Sequence, residues 1–185
     1  MLPLRLAISV CWIVFLIVWA VTSLQAKTTV RRGFNRSSVY WRLGVFVVAF
    51  ALAQAMARGW LPMAIFPYGV QLVGLVLTIL GIGFAVWARL TLGSNWGMPM
   101  TLRENPELVT GGPYAVVRHP IYTGIIFGLF GTALAIGVWW FFILLIAFAY
   151  FAISARQEER DMSERFPEAY PDYRTRTKML IPFIY

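Results

Sequence analysis

The chain of 185 residues is 59% hydrophobic and 16% aromatic but only 13% charged, about half the ~25% charge of an ordinary soluble domain, and its mean hydropathy is +0.69. This excludes a soluble globular protein and a disordered one, and describes one integral membrane unit. The net charge of +8 is uneven: residues 1–100 carry eight Lys/Arg and no acid, whereas residues 101–185 carry eight Lys/Arg and all eight acids. The cations lie between apolar runs, so they read as membrane-orientation signals and not as a nucleic-acid surface.

Leu6 to about Ala26 is long enough to span a hydrocarbon core, which needs about 20 helical residues. Its apolar stretch is longer than a signal-peptide core, and Leu24-Gln25-Ala26 is a poor cleavage site, so a transmembrane helix is expected. Cys11, the one cysteine, lies inside this run, which leaves no disulfide or cysteine-rich metal site within the chain. Lys27–Arg42 gathers Lys27, Arg31, Arg32, Arg36 and Arg42 without an acid. That pattern belongs to a cytoplasmic loop and puts the N-terminus outside.

A second span is predicted over Leu43–Met63 and a third over Tyr68–Ala88, with Pro62 and Pro67 around the turn between them. The glycines at 74, 81 and 83 suit close helix packing. Residues 89–118 form a long polar stretch punctuated by Gly93-Ser94-Asn95, Asn105-Pro106 and Gly111-Gly112-Pro113, and a loop of that length is usually functional. Ile121–Ile136 and Val138–Ser154, parted by Gly137, read as a helical hairpin. The charged tail then runs from Arg156 to Tyr185. The expected fold is therefore all-α: an integral membrane helical bundle of about five transmembrane helices, with a cytoplasmic loop and C-terminus. For a prokaryotic chain the membrane would be the inner or plasma membrane.

If the hairpin turns at Gly137, residue 137 − n lies opposite residue 137 + n. His119, the only histidine, then sits at the level of residue 155, with Glu158 and Glu159 about one turn beyond. The outer charges of the tail, Arg160–Glu164 and Asp161–Arg165, are ordinary exposed helix pairs. Glu158 and Glu159 lie closest to the bilayer, where an unpaired carboxylate is costly and points to function. A lone histidine among carboxylates lacks the ligand spacing of a zinc site, so no metal is expected. No serine or cysteine near it sits in a nucleophile elbow. A zwitterionic, cationic ligand suits the set better: its carboxylate on Arg118 or His119, its ammonium on Glu158 or Glu159, and a cationic centre against Tyr122, Tyr114 or Trp96. S-adenosylmethionine carries all three groups.

The run from Leu108 to Gly124 contains Gly-Pro-Tyr at 112–114, Arg118-His119-Pro120, Tyr122 and Gly124. It is followed by a hairpin and Glu158-Glu159. This pattern resembles the isoprenylcysteine carboxyl methyltransferase family and its phospholipid methyltransferase relatives. Phe166, Tyr170, Tyr173, Arg176 and Ile181-Pro182-Phe183-Ile184 extend the resemblance, which covers about residues 92–185. It implies a membrane-embedded methyltransferase using S-adenosyl-L-methionine on a lipophilic acceptor that enters from the bilayer. Residues 1–88 would be the scaffold, and 89–185 the methyltransferase core. The implied cofactor site comprises Leu108, Val109, Gly112, Tyr114, Arg118, His119, Pro120, Tyr122, Glu158 and Glu159. Arg176, with Arg174 as second choice, matches the arginine suited to orient an acceptor carboxylate, and Glu159 or Glu158 would serve as base for an amine or thiol. Arg176-Thr177-Lys178 departs from the family's usual Arg-Val-Pro, so the acceptor end differs. Carboxyl O-methylation of an isoprenylcysteine-like acceptor leads. The alternatives are a phospholipid or small-molecule N- or S-methyltransferase, and a non-catalytic membrane protein that kept the fold.

Overall fold

In a computed structural model of the chain, residues 2–23, 29–32, 44, 65–93, 101–103 and 107–184 are described. Helix α1 (Leu2–Ser23) is followed by strand β1 (Thr29–Arg32), helix α2 (Tyr68–Leu92), strand β2 (Thr101–Arg103), a 3₁₀ turn (Gly112–Ala115), α3 (Pro120–Ile136), α4 (Trp140–Arg165) and the short α5 (Ala169–Arg176). The molecule is an all-α helical membrane bundle, in which α1, α2 and α4 are each long and apolar enough to cross a bilayer. The predicted span Leu43–Met63 lies outside the described residues. One feature was not anticipated: β1 and β2 pair antiparallel, Thr29 opposite Arg103 and Arg32 opposite Thr101, with a bulge between Thr29 and Arg31.

In α1, Leu4, Ile8, Phe15 and Thr22 are buried, while Leu6, Val10, Ile13, Leu16 and Ile17 face outward. An apolar outer face is what lipid requires; a polar one would be stranded there. The bundle is built on the antiparallel crossing of α2 and α3. A Cβ placed on Gly74 would lie 2.6 Å from the backbone of Ala135 and Gly131, and one on Gly124 would lie 2.6 Å from the backbone of Ala85 and Gly81. Such main-chain approach is possible only where small residues face each other, and in lipid it replaces the missing hydrophobic drive with van der Waals contact. Gly124, the last residue of the motif run, thus packs against α2. Gly83 has open space around it.

A buried polar seam accompanies this crossing. Thr78 donates to the carbonyl of its own Gly74 at 3.0 Å and approaches Gly128 O of α3 at 3.3 Å, while Trp12 Nε1 of α1 donates to Thr132 Oγ1 at 3.1 Å. Gln71 turns its amide to Phe66 O at 2.7 Å, closing the turn into α2.

Arg89, 1% exposed, donates from Nη1 to Gly93 O at 2.8 Å and from Nη2 to Thr22 O at 2.6 Å. A cation among the terminal carbonyls of two helices opposes their negative dipole ends. This contact places the C-termini of α1 and α2 at the same end of the bundle. The hairpin turns where expected, at Gly137, whose φ of 148° favours glycine. Beyond it, α4 runs unbroken through the apolar segment and on into the charged tail for 26 residues, about 39 Å against a core of ~30 Å. It therefore carries Glu158 and Glu159 past the apolar layer to the end where α3 begins.

Candidate functional site

The site is assembled from the turn before α3, the far end of α4 and the segment around α5. Gly112, with φ of 61°, lets the chain enter the 3₁₀ turn, and a Cβ there would press on Thr91 at 3.4 Å. The turn buries Tyr114, whose hydroxyl lies 3.4 Å from Ala88 O of α2 and whose own carbonyl accepts from Tyr173 OH at 2.7 Å. Burial first, and the Glu159 carboxylate after it, push the Tyr173 phenol up to about 12, so it keeps its proton at neutral pH. Val109 packs against the same cluster as Tyr114, Tyr122, Met179 and Leu180. Leu108 is half-buried beside it, and Trp96 lies outside the described residues.

The tail then lies along the motif. Val117 and Lys178 form a parallel bridge, Arg118 N donates to Lys178 O at 2.8 Å, His119 N to Met179 O at 3.1 Å, and Thr123 Oγ1 to Leu180 O at 2.6 Å. These bonds satisfy main-chain groups just ahead of Pro120, which opens α3 at a position where its missing N–H costs nothing.

At the centre stands His119. Its Nδ1 is 3.4 Å from Glu158 Oε2, and its Nε2 is 3.6 Å from Glu159 Oε1. The second separation is electrostatic and too long for a hydrogen bond, so the buried Nε2 has no hydrogen-bond partner. Burial disfavours the charged ring, but the two carboxylates outweigh it and hold His119 above the ordinary imidazole value. The ring stacks on Tyr122 with centroids 5.4 Å apart and planes within 2°, and Tyr122 stacks in turn on Phe151 at 4.6 Å. Tyr122 OH donates to Glu158 Oε1 at 2.6 Å, and Arg118 Nε donates to Glu159 Oε1 at 2.6 Å.

The structure thus brings Arg118, His119, Tyr122, Glu158 and Glu159 into one cluster, as the hairpin arithmetic anticipates. Of the two tail arginines, Arg174 places Nε 3.9 Å from Glu159 Oε2, while Arg176 pairs with Asp172 at 2.5 Å on the exposed side of α5. Sequence reasoning missed the parts of Thr123, Phe151 and Arg89. Arg89 alone left a signal, a cation at the end of an apolar run. Chemically, two carboxylates around a buried imidazole and an aromatic stack bring negative charge and aromatic surface together, a combination suited to a cation with an apolar portion.

A sequence profile of the phospholipid methyltransferase family matches residues 70–169, which include nearly all of α2, the motif, the hairpin and both glutamates. The chain belongs to the phospholipid methyltransferase family. Its similarity to individual known proteins is moderate. It is 31% identical to the nickel-cobalt-cadmium resistance protein NccN of Alcaligenes xylosoxydans xylosoxydans, over 77% of this chain and 62% of that one. It is 30% identical to protein-S-isoprenylcysteine O-methyltransferase B of Arabidopsis thaliana, over 60% and 58% respectively. With methanethiol S-methyltransferase 2 of Bradyrhizobium diazoefficiens it shares 33% identity over 39% of this chain and 27% of that protein. In each case the chain spans less than two thirds of the relative's length.

Proposed function

We propose that this chain is an integral membrane methyltransferase that takes S-adenosylmethionine from the cytosol and methylates a lipophilic acceptor arriving through the bilayer. The observation that carries this reading is the pair Glu158 and Glu159 closed around His119 and the Tyr122 stack at one end of the bundle. The residues present suit the cofactor: the carboxylates match its ammonium and sulfonium charge, the buried Nε2 of His119 has no hydrogen-bond partner, and the stack offers aromatic faces to the methyl-bearing centre. When bound, S-adenosylmethionine supplies a methyl group already activated by sulfonium, so the transfer is an in-line displacement.

The protein's part is then positioning and exclusion of water. Glu158 and Glu159 hold the cation, His119 and Tyr122 fix the carboxylates, and Tyr114, Phe151 and Leu180 seal the apolar side. A carboxylate acceptor requires no base, and this site offers a poor one, since Glu159 is tied to Arg118 and Glu158 to Tyr122 and His119. That favours O-methylation of an isoprenylcysteine-like carboxylate, oriented by α5. Arg176 is the family's positional match there, and Arg174 lies nearer the glutamates. A thiol acceptor is the second reading, favoured by the similarity to a methanethiol S-methyltransferase; Glu158 would then take the proton. For topology, α1 and α2 end side by side at Arg89, which supports five spans in all, the N-terminus outside and the C-terminus cytoplasmic.

The test is calorimetric titration of the detergent-purified protein with S-adenosylhomocysteine. Micromolar binding that is lost in His119→Ala and Glu158→Ala is expected. No heat at high micromolar ligand, or equal binding by the variants, overturns the reading.

A further inference from the structure

Arg118 carries a positive charge beside the candidate cofactor site, and on chemistry alone it would be a ligand for a carboxylate. Its side chain runs elsewhere. The side chain is 8% exposed, and its Nε is committed to Glu159 Oε1 at 2.6 Å. Its Nη1 donates to Thr177 O and, at 3.3 Å, to Arg174 O. The main chain of the same residue donates to Lys178 O at 2.8 Å. One residue therefore grips both the carboxylate at the end of α4 and the tail from Arg174 to Lys178.

We infer that Arg118 is a positioning residue: it fixes the orientation of Glu159 and registers α5, with Arg174, against that carboxylate, so that the cofactor side and the acceptor side of the site are coupled through its guanidinium. The inference rests on the methyltransferase reading above. A guanidinium can do this because its planar fork sends donors in two directions at once, whereas a lysine ammonium is a single point of charge. The buried setting gives the pairing its weight, since removing Arg118 takes the 2.6 Å partner from a carboxylate then left with only His119 at 3.6 Å and Arg174 at 3.9 Å.

The experiment is a double-mutant cycle on S-adenosylhomocysteine affinity with Arg118→Ala, Glu159→Gln and the double variant, because residues acting through one another are not additive. If Arg118 acts through Glu159, each single variant weakens binding about tenfold, and the double variant weakens it about tenfold as well. A double variant about a hundredfold weaker makes Arg118 an independent ligand and overturns the proposal. So does wild-type affinity in Glu159→Gln alongside weak binding in Arg118→Ala.

Arg118→Lys, which keeps the charge, serves if the alanine variant does not fold. It is expected to bind S-adenosylhomocysteine within about threefold of wild type while the amides of residues 177–180 exchange with deuterium at least about tenfold faster. Wild-type exchange in that segment shows that the fork is not needed and sinks the coupling. The exchange measurement uses no ligand, so it still decides the grip on the tail if the wild-type protein fails to bind S-adenosylhomocysteine. That failure would count against the methyltransferase reading alone.

Discussion

The imidazole of His119, set between two carboxylates and raised above its ordinary value, makes stability depend on pH in a definite direction. A group whose folded value lies above its unfolded value near 6.5 contributes fully below that pH, and the contribution is lost as pH rises through the folded value. Thermal unfolding in detergent should therefore show the wild-type midpoint falling, relative to a His119→Gln variant, as pH is raised from about 6 into the alkaline range. A constant difference between the two proteins would show that the folded value of the ring is not raised, and would overturn the expectation. For the tail arginines, if the proposed acceptor meets the cluster from α5, Arg174→Ala should lower turnover of a carboxylate acceptor at least about tenfold while leaving S-adenosylhomocysteine affinity nearly unchanged, its Nε lying 3.9 Å from Glu159 on an exposed side chain. Arg176→Ala, made in parallel, measures what the residue paired with Asp172 contributes. At this scale the meeting of His119 with Glu158 was legible because one glycine set the hairpin arithmetic. The direction of the Arg118 side chain was not legible, because it is decided by carbonyls more than fifty residues away.

The glycines of α2 show how far helical spacing carries and where it stops. Gly74 and Gly81 are seven residues apart and share a face; Gly83, two residues further on, turns about 200° to the other side. The sequence marks all three as small, and only the partner helix decides which matter. Gly81→Ala is expected to destabilise the bundle by about 1–3 kcal/mol, because its Cβ would strike the Gly124 carbonyl at 2.7 Å. Gly83→Ala, with nothing within 4 Å, should be neutral or stabilising by up to about 1 kcal/mol. Denaturant or thermal unfolding in the same detergent compares them directly. The β1–β2 pairing was invisible in advance for a related reason: three- and four-residue strands hold too little alternation to register, and their partnership spans about seventy residues.

For the molecule as a whole, composition and the placement of charge were enough to read an all-α membrane bundle, and the motif was enough to find the end that bears the cluster. What they could not supply was the handshake between α1 and α2, since Arg89 on Thr22 O is a tertiary contact. That contact makes the two helices parallel and gives the topology a sharp test. Reporter fusions placed after Arg42 should be active in the cytoplasm, and fusions placed after Pro67 should be active on the other side. A periplasmic signal from the first position would reverse the orientation.

The way the tail closes on the motif also governs when the site comes into being. Every apolar helix of the bundle is synthesised before the segment from Tyr173 to Leu180, yet Tyr114, Arg118, His119 and Thr123 all find partners there. The cluster at their end therefore takes its final geometry only once the segment from Tyr173 to Leu180 has been made and has docked on the motif.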